Sequence, residues 1–172
     1  MIIFLIVLLF LNIPSVHAES AVEYLQNGND FFNQDNFDQA IIEYTKAIDI
    51  NPNFAKAYDN RGVAYAKEGS LPRAIADFTM AIANNPHDEE AYNNRGHAYA
   101  NTGNLTQAIV DYTSAIEINS FYAKSYNNRS FTYYNLKEYD KAWGDVHRIE
   151  KLGGKVSSRF IQELEKASGK NL

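Results

Sequence analysis

Histidine, arginine and carboxylate side chains carry whatever chemistry this chain can do, since its 172 residues include no cysteine. Without a thiol there is no Cys nucleophile, no thiolate metal site and no disulfide. The four histidines do not fill that gap. His17 lies in an apolar leader, His87 follows the turn pair Asn85-Pro86, and His97 and His147 fall in separate amphipathic stretches. No His-x-x-x-His, His-Glu-x-x-His or carboxylate dyad joins them. Catalysis needs a nucleophile, base or metal set that converges in space. The chain is therefore expected to be no enzyme, to hold no metal or cofactor and to take no small-molecule substrate. One charge pattern does recur: Arg61 and Asp77, Arg95 and Asp111, and Arg129 and Asp145 are equally spaced pairs, centred on Gly69, Gly103 and Lys137. Positions equidistant from a turn face each other in a helical hairpin, so this spacing predicts three structural ion pairs. At the first corresponding place Asn27 and Glu43 replace Arg and Asp together.

These pairs ride on a repeat of constant period, in which Tyr58-x-x-Arg61-Gly62-x-x-Tyr65 returns as Tyr92-x-x-Arg95-Gly96-x-x-Tyr99 and as Tyr126-x-x-Arg129-Ser130-x-x-Tyr133. A period of about 20–50 residues marks stacked supersecondary units, which present surfaces rather than enclose active sites. Within one unit, Ala57, Tyr58, Gly62 and Tyr65 share one side of a first helix over 55–68. Pro72 suits the first turn of a second helix, which runs to Asn84 with Ile75, Phe78 and Ile82 at helical spacing. Asn85-Pro86 ends it, because Pro disfavours the helical conformation of the residue before it. Gly28 and Ala40, Gly62 and Ala74, Gly96 and Ala108, and Ser130 and Ala142 share one spacing across the turn, which predicts a close approach of the two helices at these small residues.

Tyr58, Gly62, Tyr65, Ala74, Phe78, Ala81 and Pro86 fall where the tetratricopeptide repeat family places its aromatic or Trp, Gly, Tyr, Ala, Phe, Ala and Pro. The same frame reads Tyr24, Gly28, Phe31, Ala40, Tyr44, Ala47 and Pro52, then Tyr92, Gly96, Tyr99, Ala108, Tyr112 and Ala115. The chain resembles that family from residue 21 to about residue 156. The resemblance implies an all-α fold, a right-handed superhelical α-solenoid of antiparallel helix pairs. Its four repeats would span 21–54, 55–88, 89–122 and 123–156, within a domain over 19–156. Ser120 stands in the Pro place of the third repeat, and the fourth departs furthest, with Ser130, Val146 and Ile149 for Gly, the aromatic and Ala. Val156, Phe160, Ile161 and Leu164 give one apolar face to residues 157–172, as a terminal cap requires.

The resemblance also implies a concave face, lined by the first helices, that holds a peptide or another protein. Its groove positions map onto Asn29, Phe32 and Asn33; Lys56, Asp59, Val63 and Lys67; Asn93, His97 and Asn101; and Lys124, Asn127, Phe131, Tyr134 and Asn135. A row of Asn can both donate to and accept from an extended backbone. Asn60, Asn94 and Asn128 recur beside them and are expected to satisfy backbone groups between repeats instead. Tyr122 and Tyr134 are further candidates for partner contact. One variant of the family clamps the carboxylate of chaperone tails with Lys, Asn, Asn, Lys and Arg. Here those places read Leu25, Asn29, Asn60, Glu90 and Asn94, or, one repeat on, Asp59, Val63, Asn94, Lys124 and Asn128. Most of the cations are missing, so docking of that kind is not expected.

Residues 2–11 are uniformly apolar and lead to Pro14 and Val16-His17-Ala18, the pattern of a signal peptide over 1–18 cleaved after Ala18. The apolar run is too short to span a bilayer, which takes about 20 residues. An extracytoplasmic location, periplasmic or secreted, is expected, with no integral membrane span after cleavage. A net charge of -5 works against nucleic-acid binding. Self-association through the repeat ends, giving a homo-oligomer, is the alternative to a peptide or protein ligand.

Overall fold

Asn36, Ser70, Asn104 and Glu138 recur at the repeat interval, and each is the N-cap of the second helix in a pair. Asn36 and Asn104 accept hydrogen bonds from the backbone N–H of Gln39 and Gln107, both at 3.3 Å. Each satisfies one of the donors that a first helical turn leaves open. In the computed structural model, which describes residues 20–170, the chain forms α1 (Ala21–Asn33), α2 (Phe37–Ile50), α3 (Ala55–Lys67), α4 (Leu71–Asn84), α5 (Glu89–Asn101), α6 (Leu105–Ile118), α7 (Ala123–Asn135), α8 (Tyr139–Lys151) and α9 (Ser158–Ser168). The leader expected over 1–18 lies outside the described residues. Within each pair the turn passes through one residue with positive φ, at Asp35, Gly69, Gly103 and Lys137. That left-handed step reverses the chain, and glycine takes it without steric cost.

Every helix packs on the next, and α1, α3, α5 and α7 also touch one another in order, which the second helices of successive pairs do not do to the same extent. The first helices therefore lie on the tighter, inner side of the stack, and their free faces line a groove. The result is an all-α solenoid of antiparallel pairs. No helix among the described residues is long and apolar enough to cross a membrane.

The small residues act differently from the glycine–alanine pairing expected across the turn. Ala40, Ala74, Ala108 and Ala142 are fully buried, but the glycines face an aromatic ring of the partner helix. A Cβ on Gly62 would lie 2.8 Å from Phe78 Cε1, and one on Gly96 would lie 2.9 Å from Tyr112 Cε1. Gly28 abuts Tyr44 in the same way. The ring reaches across the hairpin and takes the space that a side chain would fill. Gly96 also approaches its alanine partner, with the Ala108 carbonyl oxygen at 3.2 Å. In the fourth pair Ser130 replaces Gly and Val146 replaces the ring, and both are fully buried. The larger residue on α7 accompanies a smaller one on α8.

Helix α9 continues the same frame. Phe160 stands one repeat interval after Tyr126, and Leu164 one interval after Ser130. Both are buried in one cluster with Ala142, Trp143 and Val146, and Trp143 Nε1 donates to Ser168 Oγ at 3.0 Å. The segment thus occupies the place of a fifth first helix. Its Leu in the glycine place leaves no room for a further crossing ring, and Arg159, Gln162 and Lys166 face solvent.

Replacing Gly96 with Ala should destabilise the protein by about 1–3 kcal/mol through overpacking against Tyr112. Made in a Tyr112→Val background, the same change should cost much less. A thermal double-mutant cycle with no coupling between the two sites would show that the ring does not impose the glycine.

Candidate functional site

The groove depends on how each first helix is held. Arg61 donates from Nε and one terminal nitrogen to both carboxylate oxygens of Asp77, at 2.7 and 2.9 Å. Its other terminal nitrogen donates to Thr45 Oγ1 at 2.9 Å. Arg95 makes the same set with Asp111, at 2.8 Å twice, and with Thr79 at 3.2 Å. Arg129 repeats it with Asp145, at 2.9 and 2.8 Å, and Thr113, at 2.8 Å. Each arginine therefore joins its own helix, its partner helix and the second helix of the preceding pair. The flanking rings of the motif sandwich it: Arg61 Cζ lies 5.6 Å from the centroid of Tyr58 and 5.9 Å from that of Tyr65. Burial pushes the Asp145 carboxyl up against the opposing pull of Arg129. For Arg129 burial works against the charge, and the hydrogen bonds and field of Asp145 outweigh it. The two shifts differ because the carboxylate is the more deeply enclosed partner. At the first pair Glu43 instead binds Lys46 at 2.7 Å. No helix precedes α1 among the described residues.

The spacing argument did not find the threonines, although Thr45, Thr79 and Thr113 recur at the repeat interval. Pairing within a hairpin was legible by symmetry about its turn. Reach into the preceding pair has no such symmetry.

A second ladder runs along the groove floor, and it corrects the expectation for Asn60, Asn94 and Asn128. They donate not to backbone groups but to side chains on the first helix of the preceding repeat: Asn60 Nδ2 to Asn29 Oδ1 at 2.7 Å, Asn94 Nδ2 to Asp59 Oδ1 at 3.1 Å, and Asn128 Nδ2 to Asn93 Oδ1 at 2.9 Å. Asp59 and Asn93, expected as open groove residues, are 2% and 1% exposed. The neighbouring repeat covers them, so they support the groove rather than line it freely. Asn29 also accepts from the Tyr44 hydroxyl at 2.9 Å, and burial pushes that phenol up to about 12, against the Asn60 hydrogen bond. Asn93 accepts from Ser125 Oγ at 3.1 Å, and its buried Nδ2 has no partner. An unsatisfied buried donor costs about 1–3 kcal/mol.

Two cavities lie along the concave face and share Val63. The first, 430 Å³, brings together Gln26, Asn29, Phe32, Asn33, Tyr44, Lys56, Asp59, Asn60 and Glu90. Lys56 is engaged there, 3.1 Å from Asp59 and 3.5 Å from Glu90. Burial works against its charge, but Asp59 and Glu90 outweigh that and raise its pKa. Burial raises Asp59 in turn, since the carboxylate is enclosed while the ammonium stays half exposed. Glu90, with Glu89, Asp59 and Asp88, also adds to the burial that pushes the Tyr122 phenol up to about 12.

The second cavity, 320 Å³, is lined by Lys67 of α3, Asn93, Asn94, His97 and Asn101 of α5, and Lys124 and Asn128 of α7, over an apolar wall that includes Leu71 and Phe78. No carboxylate lines it. Neither Lys67 nor Lys124 is in an ion pair among the described residues. His97 Nδ1 lies 3.4 Å from Asn101 Nδ2. Burial, then the charge of Lys124, lowers the His97 pKa below its ordinary value.

Phe131 and Tyr134, expected as partner contacts, also pack against α9, and Phe131 remains 38% exposed. Phe131 stacks on Phe160 with centroids 3.8 Å apart, and Tyr134 meets the same ring edge-on at 5.6 Å. Helix α9 borders the fourth repeat's share of the groove. Asn127 and Asn135 line neither cavity. Among the described residues no group of three or more His, Asp or Glu could hold a metal ion.

Removing Arg95 alone should cost about 3–5 kcal/mol, because it leaves a buried carboxylate uncompensated. An Arg95→Ala, Asp111→Ala double mutant should recover part of that loss in chemical denaturation. Strict additivity would show that the two groups do not interact.

Family models agree with this architecture. A TPR repeat model matches residues 28–69 and 64–103, and a tetratricopeptide repeat model matches residues 89–122. Hsp70-Hsp90 organizing protein 1 of Arabidopsis thaliana is 49% identical over 45 residues, 26% of this chain and 8% of that protein. The chain thus corresponds to less than a tenth of the length of that relative. Among solved structures, the first TPR of Spaghetti (RPAP3) bound to the HSP90 peptide SRMEEVD is 29% identical with a TM-score of 0.67, covering 70% of this chain and 98% of that one. A crystal structure of MamA protein reaches a TM-score of 0.76 at 23% identity, covering 87% of this chain and 82% of that one, a likeness of fold. With repeat models matched over more than half its length and its helix pairs stacked in one solenoid, the chain belongs to the tetratricopeptide repeat family.

Proposed function

We propose that this protein is an exported peptide-binding module whose concave groove takes an extended peptide bearing an acidic group. The observation that carries this reading is the second cavity. Two unpaired lysines and His97 converge there with a row of side-chain amides, and no carboxylate is present to neutralise them. A carboxylate from a ligand would meet two cations and several donors at once, and charge-assisted hydrogen bonds are about twice as strong as neutral ones. Leu71, Phe78 and Val63 offer apolar surface beside these groups, so an apolar side chain can be buried next to the anchored charge. The RPAP3 domain, which is similar over most of its length, binds an acidic peptide. Here the cations come from Lys67 and Lys124, with His97 beside them. Of these only Lys124 stands at a cationic place of the chaperone-tail clamp, so selectivity for those tails does not carry over.

Selection from a random heptapeptide library with free carboxyl ends should enrich Asp and Glu. A Lys67→Ala, Lys124→Ala variant with an unchanged melting profile should lose the enrichment and bind the selected peptides at least about tenfold more weakly, equivalent to about 1.4 kcal/mol. Enrichment of basic or purely apolar peptides, or equal binding by the variant, would refute the acidic-ligand reading.

Export belongs to the same proposal and rests on the apolar run over residues 2–11 followed by Val16-His17-Ala18. The mature protein is expected to begin at Glu19. Intact-mass analysis of protein recovered outside the cytoplasm checks this, and a retained Met1 would contradict it.

A further inference from the structure

We infer that His97 makes the groove's affinity for acidic peptides depend on pH, binding strengthening as the solution is acidified through the range in which imidazole titrates. The inference rests on the acidic-peptide reading of the second cavity and adds its regulation.

The geometry supplies a titrating group without a counter-charge. His97 lies on the inner face of α5, within the cavity that also contains Lys67 from α3 and Lys124 from α7. The other cavity-lining residues of α3, α4, α5 and α7 (Val63, Ala66, Leu71, Phe78, Asn93, Asn94, Ala98, Asn101 and Asn128) are uncharged. Every charged neighbour of the ring in the cavity is therefore positive. In the free protein this opposes protonation, and partial burial acts in the same direction. A peptide carboxylate seated among Lys67, His97 and Lys124 reverses the balance, since an opposite charge within about 4–6 Å favours the charged form of a titrating group. Linkage then fixes the sign. A ligand that raises the pKa of His97 is bound more tightly by the protonated protein, by the same factor. Affinity should rise as pH falls through the bound-state pKa and level off below the free-state pKa. Each unit of difference between the two is worth tenfold.

Asn101 provides the mechanical side of the change. With its Nδ2 3.4 Å from His97 Nδ1, a neutral ring that carries its proton on Nε2 can accept from the amide. On protonation Nδ1 becomes a donor, and Asn101 must turn its oxygen to the ring or swing away. Either movement alters the donors offered to a ligand. His87 and His147 line neither cavity, so the effect belongs to one side chain.

The test uses an acidic heptapeptide enriched by the wild-type protein from the random library, fluorescently labelled at its N-terminus, with the residue 19–172 protein at pH 7.5 and pH 5.5, where Asp and Glu side chains stay largely ionised. Wild type should bind roughly three- to sixfold more tightly at the lower pH for a one-unit rise in pKa, since the full tenfold is reached only well below the free-state pKa. His97→Gln should bind with the same affinity at both. In the ligand-free protein, NMR should show the His97 ring titrating below the ordinary imidazole value and shifting upward in a Lys124→Gln variant and on addition of the peptide. Binding without pH dependence, or pH dependence that survives in His97→Gln, overturns the inference and leaves the acidic-peptide reading standing. Failure of wild type to enrich and bind any acidic heptapeptide at either pH, with folding confirmed by the melt, overturns both.

Discussion

The three-way hydrogen bonding of Arg61, Arg95 and Arg129 is the constraint on which the groove depends. A guanidinium offers five donors in a rigid fork, and here the fork is spent on two helices besides its own. Two parallel bonds reach the carboxylate across the hairpin, and one reaches a threonine on the preceding pair. A lysine could balance the charge but could not fix three helix axes relative to a single plane. Because the same construction recurs at each step, the rotation between successive pairs is repeated, and a constant rotation is what bends a stack into a curved face. Burying such a group is not a net gain in itself, since desolvation offsets most of the attraction. Its contribution is to specify one arrangement of helices over others that would bury similar apolar area. The tyrosines on either side exclude water from the fork and add their ring faces to the cation.

The second constraint is steric and acts on the opposite side of the same motif. In Tyr58-x-x-Arg61-Gly62-x-x-Tyr65, the arginine and glycine are adjacent, so one turn of helix both anchors the ion pair and admits the Phe78 ring. The two requirements are separable, and the fourth pair shows it. There Arg129 and Asp145 persist while Ser130 and Val146 replace glycine and ring. Charge geometry is kept because the preceding pair depends on it. Packing within the hairpin can be re-solved locally with a different division of volume. Helix α9 carries the trend one step further: Leu164 fills the glycine place and packs with Val146 in one buried cluster.

The fold was legible because one constant period repeats both the turn and the apolar pattern, and because a hairpin is symmetric about its turn. The groove was legible only as a face. The frame placed Asp59 and Asn93 on the inner side of their helices, and they are there, yet Asn94 and Asn128 of the following repeat cover them. Depth within a groove is set by the neighbouring unit and not by the amphipathic pattern of the helix itself. The shared spacing of Asn94 with Asp59 and of Asn128 with Asn93, one repeat plus one position, would have pointed to this ladder. Phe131 and Tyr134 carry a contact that the frame did not show, for a related reason. Their periodicity is that of a groove aromatic, but the register of Phe160 puts a ring against them. The convergence of Lys67 with Lys124, two repeats apart and on opposite ends of their helices, has no signature in either repeat alone.

A protein of net charge -5 is an unexpected host for an anion site, and the resolution is one of range. Charges farther apart than about 8 Å are largely screened at physiological ionic strength, so a seated ligand responds to the groups lining its cavity and not to the sum over the chain. The acidic groups near the groove are themselves committed: Asp59 is held by Lys56 and Asn94, and Glu90 lies 3.5 Å from Lys56. Net charge acts on the encounter, slowing the approach of an anionic peptide, while local charge acts on its retention. This division favours ligands in which the acidic group is accompanied by apolar contacts along Val63, Leu71 and Phe78. Those contacts do not depend on screening, and they hold the carboxylate near the cations long enough for the short-range terms to operate.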